Sequence, residues 1–112
     1  MKVTYEESIR QTDELFASTQ QATRLLEDVL GRSADRVTAQ WERSTDENGR
    51  SVVILHLSDW TATVTARFSS AELNQAETLR ARLHRLWGDL LQVRSHRLLD
   101  ELLESIESAS GS

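Results

Sequence analysis

The sequence predicts an α+β domain in which a helix, a three-stranded antiparallel meander and a long C-terminal helix follow one another (α-β-β-β-α). Apolar residues recur with the 3.6-residue period of a helix over residues 4–30 and 70–106, and with the two-residue period of a strand over residues 36–68. Because one side of the strand pattern is apolar and the other mostly polar, we expect both helices on one face of the sheet. Residues 1–107 would form this single domain, and residues 108–112 a disordered tail.

The first helix is expected to run from Thr4 to Leu30 and to stop at Gly31, since glycine commonly follows the last residue of a helix. One side of this helix collects its apolar residues together with threonines. That side comprises Tyr5, Ile9, Thr12, Leu15, Phe16, Thr19, Ala22, Thr23, Leu26, Val29 and Leu30. The threonines weaken the apolar stripe, so tertiary or intersubunit packing must hold the helix in place.

The first hairpin has two possible turns around Asn48 and Gly49. A two-residue turn would put Trp41 opposite His56 and send the apolar sets of the two strands to opposite faces. A three-residue loop with Gly49 in the left-handed conformation pairs Trp41 with Leu55 and keeps the apolar residues on one face. We therefore predict the three-residue loop.

The second hairpin is expected to turn tightly at Ser58-Asp59, with residues 52–57 as the central strand. This register pairs Leu57 with Trp60 and places Trp60 on the buried face of the sheet. The opposite face is mostly polar and is a candidate surface for binding another protein. It includes Gln40, Ile54, His56, Thr61 and Thr63.

The long helix is expected from Ser70 to about Ile106, after a cap in which a serine hydroxyl and Glu72 satisfy the first turn. At ~1.5 Å per residue this helix would be about 55 Å long, whereas a compact 100-residue domain has a radius of gyration of ~13 Å. The helix must therefore project from the domain, bend, or pack on a second copy.

The apolar stripe of this helix changes side near residues 93–97. The later apolar residues lie ~150° away from the earlier ones, which the drift of ~20° per heptad cannot produce. The later set comprises Leu98, Leu99, Leu102, Leu103 and Ile106. We expect residues 72–93 to pack on the sheet of the same domain, and residues 98–106 to pack on the first helix, on a second subunit or on another protein. Gly88 allows a bend near residues 88–95.

Composition limits the class of function. The chain has 112 residues, no cysteine, a net charge of −5 and a pI of about 5.1. The lack of cysteine excludes disulfides, thiolate metal sites and cysteine nucleophiles. No segment has the ~20 apolar residues of a membrane span, and the first ten residues lack the apolar run of a secretory signal. We expect a cytoplasmic protein that does not contact membranes.

No motif of known chemistry is found in the sequence. His56, His84 and His96 lack the spacing of metal ligands, and the four glycines lie too far apart to form a phosphate-binding loop. No serine stands in the G-x-S-x-G pattern of a nucleophile elbow. We therefore predict no catalytic residue, metal or cofactor. The aromatic residues interpreted as core side chains are Trp41, Trp60 and Trp87.

The apolar surface left over on the helices favours a non-enzymatic interaction or adaptor module that forms a two-fold homodimer and binds another protein. A nucleic-acid-binding dimer is the alternative, in which Arg82, Arg85 and His96 form one basic group on the long helix. The order helix, three strands, helix resembles the YbaB family of bacterial nucleoid-associated proteins, and this resemblance implies a dimer that binds DNA. A third alternative, a small-ligand enzyme, would need a pocket near Trp60 or His56.

Overall fold

Four strands and four helices make up residues 1–110, the part of the chain that the computed structural model describes, with side chains given to residue 106. The sheet contains β1 (Lys2–Tyr5), β2 (Thr38–Thr45), β3 (Ser51–Ser58) and β4 (Thr63–Ser69), side by side in this order. The helices are α1 (Glu7–Arg10), α2 (Asp13–Leu30), α3 (Ser70–Leu73) and α4 (Ala76–Ser110). A 3-10 segment, Gly31–Arg36, connects α2 to β2. The α+β class and the long C-terminal helix are thus confirmed.

The N-terminal strand corrects the predicted first helix and the predicted three-stranded meander. Strand β1 runs parallel to β2, with Val3 opposite Ala39 and Tyr5 opposite Trp41, so the sheet is mixed and has four strands. Helical structure begins only at Glu7. Four residues are too few for a two-residue period to be told from the first turn of a helix, and this is why the sequence pattern assigned Thr4 and Tyr5 to the helix and missed the strand.

Helix α2 buries the predicted apolar side. Leu15, Ala22, Leu26 and Leu30 are at most 9% exposed. The helix ends at Gly31, whose φ of 56° confirms the predicted glycine stop. The side of α2 that the sequence pattern selected therefore faces the sheet.

The buried threonines of α2 have partners for their hydroxyl groups. Thr19 Oγ1 donates to the carbonyl of Leu15 at 3.0 Å, and Thr23 Oγ1 donates to the carbonyl of Thr19 at 2.8 Å. Thr23 Oγ1 also accepts hydrogen bonds from Trp41 Nε1 at 2.9 Å and from the Tyr5 hydroxyl at 3.0 Å. One hydroxyl group thus links α2 to both β1 and β2.

The first hairpin has the predicted register. Trp41 lies opposite Leu55, and Gly49 has a φ of 77° at the end of the loop. The Asp46 carboxylate accepts a hydrogen bond from the backbone N–H of Asn48 at 2.9 Å, which holds the turn. The three-residue loop is confirmed.

The second hairpin differs from the predicted one by four residues. A loop, Asp59–Ala62, replaces the tight Ser58-Asp59 turn, and Leu57 pairs with Val64 instead of Trp60. Because the shift is an even number of residues, each side chain of the strand keeps its predicted face. Trp60 itself, predicted to be buried, is 77% exposed in the loop.

The helices cover one face of the sheet, as predicted, and the core lies between the helices and the sheet. The buried side chains of the sheet, together with Val37 just before β2, are Val37, Ala39, Trp41, Val53, Leu55, Leu57 and Phe68. Helix α4 contributes Leu79, Leu83, Leu86 and Leu90.

The long helix starts later than predicted because the predicted capping residues belong to a separate short helix, α3. Ser69 Oγ accepts from the N–H of Glu72 at 3.2 Å, and the Glu72 carboxylate accepts from the N–H of Ser69 at 3.1 Å. This capping box starts α3, which ends at Leu73, and α4 follows after two residues. The predicted helix from Ser70 is therefore two helices.

Helix α4 projects beyond the sheet. Its 35 residues span about 52 Å, and the molecule measures 60 × 32 × 24 Å. The tail predicted for residues 108–112 overlaps the end of this helix at 108–110, and residues 111 and 112 lie outside the described residues.

Replacement of Thr23 by valine tests the polar link between α2 and the sheet. We expect T23V to lower the free energy of unfolding by about 1–3 kcal/mol, because the buried N–H of Trp41 loses its acceptor while side-chain volume is nearly kept. The matched control is T63V on the exposed side of β4, which should change stability by less than ~0.5 kcal/mol. Urea denaturation followed by far-UV circular dichroism measures both. Equal stabilities for the two variants would contradict the role of Thr23.

Candidate interaction surface

The C-terminal part of α4 presents apolar side chains to solvent. Leu98, Leu99, Leu102, Leu103 and Ile106, which we call the leucine face, are 46, 52, 57, 49 and 55% exposed. Soluble proteins rarely leave such a contiguous apolar patch open, so this face is the strongest candidate for an interaction surface. The first helix of the same chain does not cover it, since the four leucines remain about half exposed with α2 in place.

Helix α4 is fastened to the sheet at the point where it leaves the core. Arg94 donates to Asp59 Oδ2 through Nε at 2.7 Å and also through Nη2. Arg97 donates to the backbone carbonyl of Thr61. We call these contacts between Asp59, Thr61, Arg94 and Arg97 the loop clasp. Trp87, two turns of helix earlier, is half-buried with its ring centroid 5.8 Å from the Arg94 guanidinium.

The carboxylate of Asp59 organises its own loop as well as the helix. Asp59 Oδ1 accepts from the Thr61 hydroxyl at 2.6 Å, from the Thr61 N–H at 2.8 Å and from the Ala62 N–H at 3.0 Å. Burial alone would raise the pKa of Asp59, but hydrogen bonds from Thr61, Arg94 and Ala62 outweigh burial and lower this pKa to about 2. Asp59 is therefore ionised at neutral pH and balances the charge of Arg94.

The loop clasp explains why the apolar stripe of α4 changes side. Arg94 and Arg97 continue the direction of the buried residues Leu83, Leu86 and Leu90, but they contact the edge of the sheet at a polar loop. Beyond them the apolar residues stand on the other side of the helix, where they are about half exposed.

Sequence reasoning missed this clasp, although two signals were present. The stretch from Ser58 to Thr61 has the composition of a turn in which an aspartate carboxylate accepts from the backbone two residues later. Two arginines also replace leucine in the buried direction of the long helix. Neither signal says which carboxylate an arginine will meet, because that depends on the register of a hairpin more than 30 residues away.

The predicted binding face of the sheet is open, with one correction. Gln40 and His56 are cross-strand neighbours, and Ile54 and Thr63 lie on the same face. Thr61 does not belong there, because the four-residue loop places it in the loop clasp, where it is 6% exposed. The tight turn predicted at residues 58–59 had assigned Thr61 to the strand.

The open sheet face offers little apolar surface. Val52 and Ile54 are half-buried among polar neighbours. His56 Nε2 lies 2.9 Å from Glu42 Oε2, and both side chains remain partly exposed. This surface is therefore typical of an ordinary solvated sheet face. It is a weaker candidate for an interaction surface than the leucine face.

The predicted basic group does not form one site. Arg82 pairs with Glu72, and its guanidinium lies 4.4 Å from the centroid of the Phe68 ring. Arg85 lines a shallow groove between β4 and α4. His96 stands eleven residues further along the helix, about 16 Å from Arg85. The charge of Arg82 is thus paired within the chain, with the carboxylate of Glu72.

Comparisons with protein-family models, with curated proteins and with solved structures find no match to this chain. Among the side chains of residues 1–106, no three His, Asp or Glu come together in a way that could hold a metal ion. None of the described helices has the length and apolarity needed to cross a bilayer. The functional interpretation therefore depends on the leucine face and the loop clasp.

Replacement of Asp59 by asparagine tests the loop clasp through pH. The pKa of about 2 in the folded protein lies below the ordinary value of 3.8, so the ionised carboxylate stabilises the fold above about pH 4 and loses this effect as pH falls towards 2. After allowance for solvent screening near the surface, we expect D59N to lower the free energy of unfolding at pH 7 by about 1–2 kcal/mol.

The measurement is urea denaturation of wild type and D59N between pH 7 and pH 2.5. The difference in stability should shrink as pH falls below about 4. The control is D35N, because the Asp35 side chain is 95% exposed and its removal should cost less than ~0.5 kcal/mol. A D59N difference that stays constant over this pH range would show that the Asp59 charge does not stabilise the clasp.

Proposed function

We propose that this protein is a non-enzymatic, homodimeric interaction module and that the leucine face of α4 binds a second copy of the chain. The observation that carries this proposal is the position of the leucine face. Its half-exposed leucines stand on a helix that is held to the sheet by the loop clasp one turn earlier. A pre-positioned apolar surface loses little conformational entropy when a partner covers it.

The energy available from the leucine face is comparable with the cost of association. Burial of the remaining surface of a half-exposed leucine contributes about 1 kcal/mol, so four leucines on each of two copies contribute about 8 kcal/mol. Association costs about 4–15 kcal/mol in lost translational and rotational freedom. The leucine face therefore sustains a dimer when further surface along α4 is also buried.

Charge favours a second copy as the occupant of the leucine face. Residues 80–97 contain five arginines and one aspartate, whereas residues 98–107 contain one aspartate and three glutamates, a net charge of −4. Three of the arginines pair with carboxylates of the same chain, so the basic segment offers a second copy mainly Arg85 and Arg97. Antiparallel pairing of two α4 helices brings each acidic segment within a Debye length, about 8–10 Å, of the partner's basic segment. A membrane surface fits less well, because helices that bind membranes carry lysine and arginine on their polar side.

Two double serine variants test the proposed dimer. They distinguish the leucine face from the open sheet face, the two interaction surfaces predicted from the sequence. We expect L99S/L102S to weaken dimerisation at least tenfold, because it removes two exposed apolar side chains from the leucine face. The matched control V52S/I54S removes two apolar side chains from the open sheet face and should leave the dimer intact.

Sedimentation velocity over a protein concentration range of about 1–200 μM measures both variants against wild type, since dimers of moderate affinity dissociate within this range. Circular dichroism confirms that each variant is folded. Wild-type protein that is monomeric over the whole range would refute the proposal. Loss of the dimer in V52S/I54S alone would move the interface to the sheet.

A further inference from the structure

We infer that the two α4 helices pair antiparallel, so that the leucine face of each copy packs on a strip of small residues in the other copy. This strip, which we call the small-residue strip, consists of Ala81, Gly88 and Ser95. The inference rests on the proposed homodimer and deepens it, because it names the surface of the second copy that the leucine face contacts.

The small-residue strip lies on the outer side of α4. Its members are spaced seven residues apart, so they follow one another along a single side of the helix. All three are exposed, and their direction is ~170° from that of the buried leucines of the same helix. A Cβ added at Gly88 would meet no atom within 4 Å, so nothing in the described chain covers this point.

The leucine face continues the same side of the helix. At ~100° per residue, the mean direction of its side chains lies within ~20° of the small-residue strip. Leu91, which is 37% exposed, lies between Gly88 and Ser95 along the helix, ~60° from the direction of the small-residue strip. The outer side of α4 therefore carries small residues spaced seven apart in its first part, with His84, Arg85 and Gln92 beside them, and large apolar residues in its last part.

Antiparallel pairing matches these two parts in size. Small residues let helix backbones approach closely and leave room for leucine side chains from the facing helix. Pairing of one leucine face with the other would instead oppose large residues and leave both small-residue strips exposed. Parallel pairing would also place segments of like charge side by side.

The antiparallel arrangement supplies the further surface that the leucine face needs. With Gly88 opposite Leu99, residues 81–106 of the two copies overlap over about 38 Å, compared with about 13 Å when only the leucine faces overlap. The two-fold axis passes near residues 93–94. Both sheets lie outside the pair, because the core-facing side of α4 points away from the contact.

Single cysteines measure this geometry in the full chain, which contains none of its own. In the inferred dimer the two copies of residue 95 are offset by about 5 Å along the helix axis, whereas those of residue 102 are offset by about 25 Å. A disulfide requires Cα atoms roughly 4.4–6.8 Å apart. We expect S95C to form disulfide-linked dimers on oxidation, and L102C to form less than about a tenth as many.

Each of the other cross-linking outcomes contradicts the inferred packing and indicates a different arrangement. Cross-linking of L102C without S95C would show that the leucine faces pair with each other, and cross-linking of both would show a parallel pair. In these two cases the proposed homodimer survives. A wild-type protein that is monomeric in sedimentation velocity removes the homodimer and the inference together.

A matched pair of substitutions at Gly88 tests the close approach independently. G88L should weaken the dimer at least tenfold because its side chain fills the space that Leu99 of the second copy occupies. G88A should keep the dimer within about threefold of wild type, since a single methyl group still leaves a small residue at this position. Both variants fit the monomer, where a Cβ meets no atom within 4 Å. Equal dissociation constants for G88L and G88A would contradict the inferred packing.

Discussion

The ion pair between Asp59 and Arg94 joins two parts of the structure that lie far apart in sequence, the β3–β4 loop and α4. The same carboxylate closes the β3–β4 loop through the N–H groups of Thr61 and Ala62 and holds α4 through the arginine. The loop fixes the register of β4, and the arginine ends the part of α4 that packs on the sheet. With the carboxylate satisfied in this way, neither the loop nor the helix leaves a charge unpaired at the edge of the core.

The sequence pattern predicted those features that depend on period and on local turn chemistry. The buried side of α2, the register of the first hairpin and the change of side in the long helix all follow from residues close together in the chain. The fourth strand was missed because Lys2–Tyr5 is short and its partner, β2, lies more than 30 residues away. The predicted register of the second hairpin was wrong because an alternating pattern fits equally well after a shift of any even number of residues. The hydrogen bonds of Asp59 within the loop select one of these registers.

The candidate site was predictable in part for the same reason. An apolar set at helical spacing marks the leucine face without any knowledge of the fold, and the exposure of its leucines shows that no other part of the described chain covers them. The polar residues were harder to place. Thr23 and Thr61 look alike as weak interruptions of an apolar pattern, yet one hydroxyl joins a helix to two strands and the other caps a loop. Their roles are set by tertiary neighbours, which composition and period do not specify.

The loop clasp also fixes the point about which α4 can tilt. Residue 106 lies about 18 Å beyond Arg94 along the helix, so a tilt of ~10° about the clasp would displace the end of the leucine face by about 3 Å. This displacement is about a third of the 8–10 Å distance between packed helices. A change of length or sequence in the loop at residues 59–62 would therefore alter how two copies of the domain are oriented in the proposed homodimer, even though the loop itself stands outside the inferred contact.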